Sequence, residues 1–161
     1  MSLDYTYLST PIGQLLLAGI GEQLSYIGLP QANKAQPPAA EWRFQSSLLE
    51  RAQVQLTDYF AGRRQTFDLQ LAPRGTEFQC QVWQQLQRIP FGEVCSYGQL
   101  AKAIGRPKAV RAVGAANGRN PIPIIIPCHR VIGANGQLTG FSGGLSAKAY
   151  LLQHEGVAVD K

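Results

Sequence analysis

The chain has 161 residues, 45% hydrophobic and 16% charged, enough for one ordinary domain or two small ones with a real core, which excludes intrinsic disorder. No apolar run nears the about 18–20 residues of a membrane span, and three cysteines without a CxxC pair argue against a disulfide framework. The 15 Lys+Arg outnumber the 10 Asp+Glu, and the excess is one-sided: residues 1–72 carry 5 basic and 6 acidic side chains, net −1, whereas 73–161 carry 10 and 4, net +6, so a polyanionic partner belongs to the second half.

Residues 5–29 alternate apolar and polar between Pro11, Gly13, Gly19, Gly21 and Gly28, the pattern of two or three short antiparallel strands. Residues 31–40, with Pro37-Pro38, read as a loop. Leu48, Leu49, Ala52, Leu56, Tyr59 and Phe60 recur at helical spacing over 45–59, and Gly62 stops that helix. Phe67, Leu69 and Leu71 predict one more strand. Pro73-Arg74-Gly75 then marks the boundary between a first α+β domain, 1–72, and a second domain, 73–161.

Beyond it the pattern is helical. Thr76 is the N-cap of a helix to Arg88 with Phe78, Val82, Trp83 and Leu86 on one face. Pro90-Phe91-Gly92 breaks it, and Ser96-Tyr97-Gly98-Gln99 has the form of a capping box opening a second helix to about Ala103. Residues 104–106 make a turn, and Pro107 suits the first position of a third helix to about Ala116. Two short helices about a Gly-bearing turn form a helix-turn-helix pattern, equally the pattern of an ordinary helical hairpin. Charge favours nucleic acid: between Arg88 and Arg130 stand seven basic residues, including Lys108 and Arg111 on the third helix, against one acid, Glu93.

Asn120-Pro-Ile-Pro-Ile-Ile-Ile-Pro-Cys-His-Arg-Val131 is the least ordinary stretch. Its prolines forbid a helix or central strand while its isoleucines demand burial, which predicts a rigid, buried, extended segment presenting Cys128 and His129. The ordinary thiol pKa of about 8.5 leaves a cysteine mostly protonated, and the neighbouring His129 and Arg130 are expected to lower it. Glu155 is the candidate third member that orients His129. Cys80 and Cys95 are assigned to packing, as free cysteines generally are. The first 72 residues hold no Cys and no His, so a zinc site there lacks its usual ligands.

Pro127-Cys128-His129-Arg130-Val131 resembles the active-site signature of the O6-alkylguanine-DNA alkyltransferases. The resemblance is collinear through Tyr59-Phe60-x-Gly62, Gly75-Thr76-x-Phe78-Gln79-x-x-Val82-Trp83, Ile89-Pro90-x-Gly92-x-Val94, Ser96-Tyr97-Gly98 and Arg111-Ala112-Val113-Gly114. It continues through Asn120-Pro121, Gly140-Phe141-x-Gly143-Gly144-Leu145 and Glu155-Gly156, about 100 of the 161 residues.

The resemblance implies an α+β protein: a small ribonuclease-H-like N-terminal domain, then a mainly helical winged helix-turn-helix domain that binds double-stranded DNA through the minor groove and flips the damaged base out. It implies that Cys128 takes the alkyl group of O6-alkylguanine, and of O4-alkylthymine, irreversibly and once. In the same way it implies that His129 receives the thiol proton through a bridging water, that Glu155 orients His129, and that Asn120 fixes the nearby turn. Tyr97 hydrogen-bonds the flipped base, and Arg111 fills the gap left in the stack. The carbonyls of Cys128 and Val131 accept from the guanine amine, Ser142 donates to O6, and Phe141 and Gly143 line the pocket. Lys148 is given electrostatics alone. No metal or cofactor is implied, and a cytoplasmic monomer that clusters on DNA is expected. No leader is expected at an N-terminus without a basic run, nor an additional activating domain. Two other readings exist. One is a non-enzymatic lesion-binding protein of the alkyltransferase-like type, whose acceptor cysteine is replaced; Cys128 argues against it. The other is a Cys128–His129–Glu155 hydrolase, which leaves the basic helix-turn-helix unexplained.

Overall fold

The computed structural model describes residues 2–141 and 143–159. The chain divides into two compact units, Met1–Arg74 and Gly75–Lys161.

In the first unit, β1 (Asp4–Thr10), β2 (Gly13–Ile20) and β3 (Gln23–Gly28) form the antiparallel meander expected from their alternation. Two short strands extend it on either side. β4 (Arg43–Phe44) pairs parallel to β1, and β5 (Gln70–Leu71) pairs parallel to β3, giving the order β4-β1-β2-β3-β5. β4 carries no sequence signal of its own; its two residues are exposed. Helix α1 (Glu50–Phe60) buries Ala52, Gln55, Leu56 and Tyr59, one face at i, i+3, i+4, i+7.

Two expectations are corrected here. The helix does not begin near Gln45: Leu49 takes a left-handed backbone (φ 57°), and Leu48 closes a turn back to the Gln45 carbonyl. The predicted strand over 67–71 pairs only at 70–71. At Asp68 the Gln55 amide replaces a neighbouring strand, donating to the Asp68 carbonyl (3.1 Å) and accepting from its N–H (2.9 Å).

The second unit is mainly helical: α2 (Glu77–Leu86), α3 (Tyr97–Ala103), α4 (Val110–Gly118) and α5 (Leu145–His154). Both predicted capping boxes form. Thr76 Oγ1 accepts from Gln79 N (3.1 Å) while Gln79 Oε1 accepts from Thr76 N (2.9 Å), and Ser96 and Gln99 repeat the arrangement (3.1 and 2.8 Å). Gly75 precedes the first box because a Cβ there would lie 2.4 Å from the Trp83 ring. Trp83 in turn donates from Nε1 to the Ala116 carbonyl (2.9 Å), tying α2 to α4.

The helix-turn-helix pair is α3 and α4, but its turn is longer than expected. Gly105, at φ 78°, ends α3 in the left-handed region, Ala109 N bonds the Arg106 carbonyl, and α4 starts at Val110 instead of Pro107. Residues 106–109 are a turn because Pro107 and Lys108 precede the N-cap, Ala109. α4 buries Val113, Ala116 and Asn117 and exposes Lys108 at its approach with Arg111, Ala112 and Ala115 along its outer side.

The proline-rich stretch is buried as expected but not extended. Ile126 N bonds the Ile122 carbonyl (2.9 Å), Cys128 N bonds that of Ile126 (2.8 Å), and Cys128–Arg130 form one turn of 3₁₀ helix. Proline forbids a long helix, yet short turns satisfy the buried carbonyls that an unpaired extended segment would leave without donors. β7 (Val131–Ile132) follows and pairs parallel to β6 (Cys95–Ser96), setting the start of α3 beside the Cys128 turn.

Candidate active site

Cys128, His129 and Arg130 sit on one tight 3₁₀ turn, all buried; neighbours on such a turn diverge by about 120°, so a proton passing from Cys128 to His129 needs a bridge. Asn120 braces the segment before it, donating from Nδ2 to the Ile126 carbonyl (2.7 Å) and accepting from Ile122 N (3.0 Å).

Helix α5 supplies the other wall. Lys148, Leu151, Leu152 and Glu155 fall at i, i+3, i+4 and i+7 and all are buried. Two opposite charges therefore face inward two helical turns apart. Glu155 Oε2 lies 2.8 Å from His129 Nε2. Arg130 grips the same carboxylate with two nitrogens, Nε to Oε1 (2.7 Å) and Nη2 to Oε2 (3.0 Å), and gives Nη1 to the Ile89 carbonyl (2.6 Å). A carboxylate so held accepts only, so His129 Nε2 carries the hydrogen and Nδ1 the lone pair. Nδ1 is buried and has no hydrogen-bond partner among the described residues.

The electrostatics differ from the sequence expectation. Burial dominates at Cys128 and pushes the thiol up to about 11, against lowering by the Asn120 side chain and the Lys148 charge. Of the neighbours expected to lower it, His129 does so only through its backbone N–H, and neither side chain supplies a lowering charge. Burial holds His129 below its ordinary 6.5, so it is neutral, and Arg130 directs its charge to Glu155. At rest the turn thus holds a buried thiol and a buried neutral imidazole. Lys148 has more than a diffuse field to offer: fully buried, its ammonium donates to the carbonyls of Val131 (2.6 Å) and Thr139 (3.1 Å), and burial lowers it to about 8.

The depressed His129 value carries a linkage consequence. Below pH 6.5 the unfolded chain binds a proton that the folded site refuses until a lower pH, so stability falls as pH drops through that window. Replacing His129 with Gln is expected to flatten this part of the stability–pH curve, measured by denaturant titration between pH 7 and 5.

The remaining predicted residues are distributed as follows. Tyr97, half-buried at the start of α3, places Oη 2.5 Å from Thr139 Oγ1. Phe141 and Gly143 are half-buried in the segment before α5, and Ser142 lies outside the described residues. Arg111 is exposed at the start of α4. The carbonyls of Cys128 and Val131 already have donors: Val131 N–H and Asn117 Nδ2 (3.5 Å) for the first, Lys148 Nζ (2.6 Å) for the second. Sequence reasoning missed Arg130 as the clamp on Glu155, and Thr139 and Lys148 as polar ties. The α5 spacing did carry a signal for Lys148, which shares the periodic buried face of Glu155.

Comparison with known proteins places the chain. Residues 3–73 match the model of the 6-O-methylguanine DNA methyltransferase ribonuclease-like domain, and residues 77–157 that of the DNA binding domain of the same proteins. A methylated-DNA–protein-cysteine methyltransferase of Methanosarcina acetivorans is 51% identical over 94% of this chain and 97% of its own. The constitutive enzyme of that name from Bacillus subtilis is 46% identical over 96% of each. The crystal structure of Mycobacterium tuberculosis O6-methylguanine methyltransferase superposes with a TM-score of 0.88 at 47% identity, covering 95% of this chain and 92% of that one. A complex of the Mycobacterium tuberculosis protein with DNA matches at the same TM-score and identity, covering 96% and 92%.

Proposed function

The chain belongs to the 6-O-methylguanine DNA methyltransferase family and is a DNA repair methyltransferase, and we propose that its own Cys128 is the residue that takes the alkyl group from O6-alkylguanine. The observation that carries this assignment is the buried thiol of Cys128 on one turn with a neutral His129, whose Nε2 is committed to Glu155 and whose Nδ1 has no partner among the described residues.

The reaction follows from those groups. The Cys128 proton passes through a bridging water to His129 Nδ1, which carries it as imidazolium against the Glu155 carboxylate. Sγ attacks the alkyl carbon in line, an S–C bond forms, and the C–O6 pair leaves with guanine, which takes up a proton. Tyr97 hydrogen-bonds the extruded base and favours that protonation. A dialkyl thioether is a poor leaving group, and no group of this site reverses it, so each molecule reacts once. O4-alkylthymine, with the same alkyl–oxygen bond, is the second substrate.

We assign this chemistry to residues 73–161 and a packing role to 1–72. The exposed face of α4, with Arg111 among small alanines, is the part that enters the minor groove, and Arg111 occupies the space of the extruded base. The protein works as a monomer in a reducing cytoplasm and clusters on DNA. No helix among the described residues is long and apolar enough to cross a membrane.

Intact mass after incubation with duplex DNA containing O6-methylguanine tests the reading. The expected result is a gain of one methylene unit, located by peptide mapping on Cys128. An unchanged mass with tight lesion binding replaces it with the lesion-binding alternative. Arg111→Ala is expected to slow repair of duplex lesions at least tenfold while reaction with free O6-benzylguanine stays near normal, because only the duplex requires extrusion. Equal losses on both substrates would refute the role of Arg111.

A further inference from the structure

Thr139 is bonded from two sides. Its Oγ1 lies 2.5 Å from the Tyr97 hydroxyl, 42 residues away in sequence, and its carbonyl accepts from Lys148 Nζ at 3.1 Å. The same ammonium donates to the Val131 carbonyl at 2.6 Å, next to the Cys128 turn. One threonine therefore joins the start of α3, the segment after β7 and the inward face of α5. The backbone tie fixes where Thr139 sits, and the side-chain tie fixes where the Tyr97 phenol points. Two hydroxyls in contact share one hydrogen between them, and the direction of that bond decides whether Tyr97 keeps its own proton for another acceptor.

We propose that Thr139 donates its hydroxyl hydrogen to Tyr97 Oη and so leaves the phenolic hydrogen aimed at the bound base, which makes Thr139 a positioning residue for alkyl transfer. The inference rests on the reading of Tyr97 as the donor to the extruded base. A phenol that accepts one hydrogen bond is also a stronger donor in the next, since bonds in a chain polarise one another. The benefit is greatest as guanine leaves and its ring gathers charge, so the rate of transfer is affected more than ground-state binding.

Thr139→Val keeps the shape and removes the hydroxyl; Thr139→Ser keeps the hydroxyl, and Thr139→Ala is a second variant without it. Under single-turnover conditions on O6-methylguanine duplex, Thr139→Val and Thr139→Ala are expected to lower the limiting transfer rate about fivefold, the worth of one hydrogen bond, with half-saturation unchanged. Thr139→Ser restores the rate. In a Tyr97→Phe background, Thr139→Val has no further effect, because the group through which it acts is gone. If Thr139→Val reacts at the normal rate while Tyr97→Phe is slow, the inference fails and the Tyr97 reading stands. If the two losses simply multiply, or serine does not rescue, Thr139 only stitches the loop and the inference also fails. A Tyr97→Phe protein of normal rate overturns the Tyr97 reading and this inference with it.

Discussion

Cys128→Ser is expected to bind O6-methylguanine duplex DNA and to show no change of intact mass after prolonged incubation. The substitution exchanges one atom, so the shape of the turn and the exposed face of α4 are kept. What changes is the nucleophile. Burial already pushes the thiol up to about 11, and a hydroxyl, a far weaker acid, loses its proton less readily in the same place. The proton of so weak an acid passes less readily to His129, which burial holds below its ordinary 6.5. Oxygen is also less polarisable than sulfur and attacks saturated carbon poorly. The buried hydroxyl costs about 1–3 kcal/mol if it finds no acceptor, which leaves a folded, binding-competent, unreactive protein. A methylene unit appearing in Cys128→Ser would move the acceptor elsewhere, with Cys80 and Cys95, both half-buried, as the thiols to map next.

Glu155→Ala carries the second large effect, through two routes that separate experimentally. The carboxylate is the partner of a guanidinium in Arg130 that is only 6% exposed. Removing one member of a buried ion pair leaves the other charge without its counterpart, a loss of about 3–5 kcal/mol, and the Ile89 carbonyl alone does not neutralise it. A fall in unfolding free energy of that size, measured by denaturant titration, checks the first route. The second is chemical. Without Glu155, His129 loses the group that fixes its tautomer and stabilises the imidazolium formed when the thiol proton arrives. Transfer measured below the unfolding transition is expected to drop by about 10²–10⁴, the usual share of acid–base assistance. Glu155→Gln separates the routes, since its amide can accept from His129 through oxygen but offers Arg130 no charge. A Glu155→Ala protein of normal stability and normal rate would leave the network without the role given to it.

The chemistry of this site was partly visible in residue order. Cys128, His129 and Glu155 were each singled out, and two of them are joined at 2.8 Å. The mechanism of activation was not legible. Adjacency of His129 and Arg130 to Cys128 suggested cations lowering a thiol, but adjacency says nothing of where a guanidinium points. Arg130 reaches Glu155, 25 residues on, and the Ile89 carbonyl, 41 residues back. The charge that does act on the thiol belongs to Lys148, whose partners are main-chain carbonyls, which every residue possesses and no sequence pattern marks.

Local structure divides in the same way. The two capping boxes, Thr76 with Gln79 and Ser96 with Gln99, were readable because each closes within three residues. The inward stripe of α1 and the meander β1–β2–β3 follow from periods of 3.6 and 2. The two-residue strands β4 and β5, the Gln55 bracket around Asp68, the left-handed Leu49 and the late start of α4 depend on neighbours far along the chain or on main-chain geometry that residue identity leaves open. Sequence by itself determined the concentration of positive charge after residue 73, which rests on composition, and the family resemblance with Cys128 as its candidate acceptor, which rests on motifs in collinear order. Tertiary structure alone decided that the thiol and a neutral imidazole are buried on one turn, and that Arg130 clamps Glu155 while Lys148 and Thr139 tie the neighbouring segments. A buried polar group must find a partner wherever the fold brings one within hydrogen-bond reach, and that distance is not written in residue order.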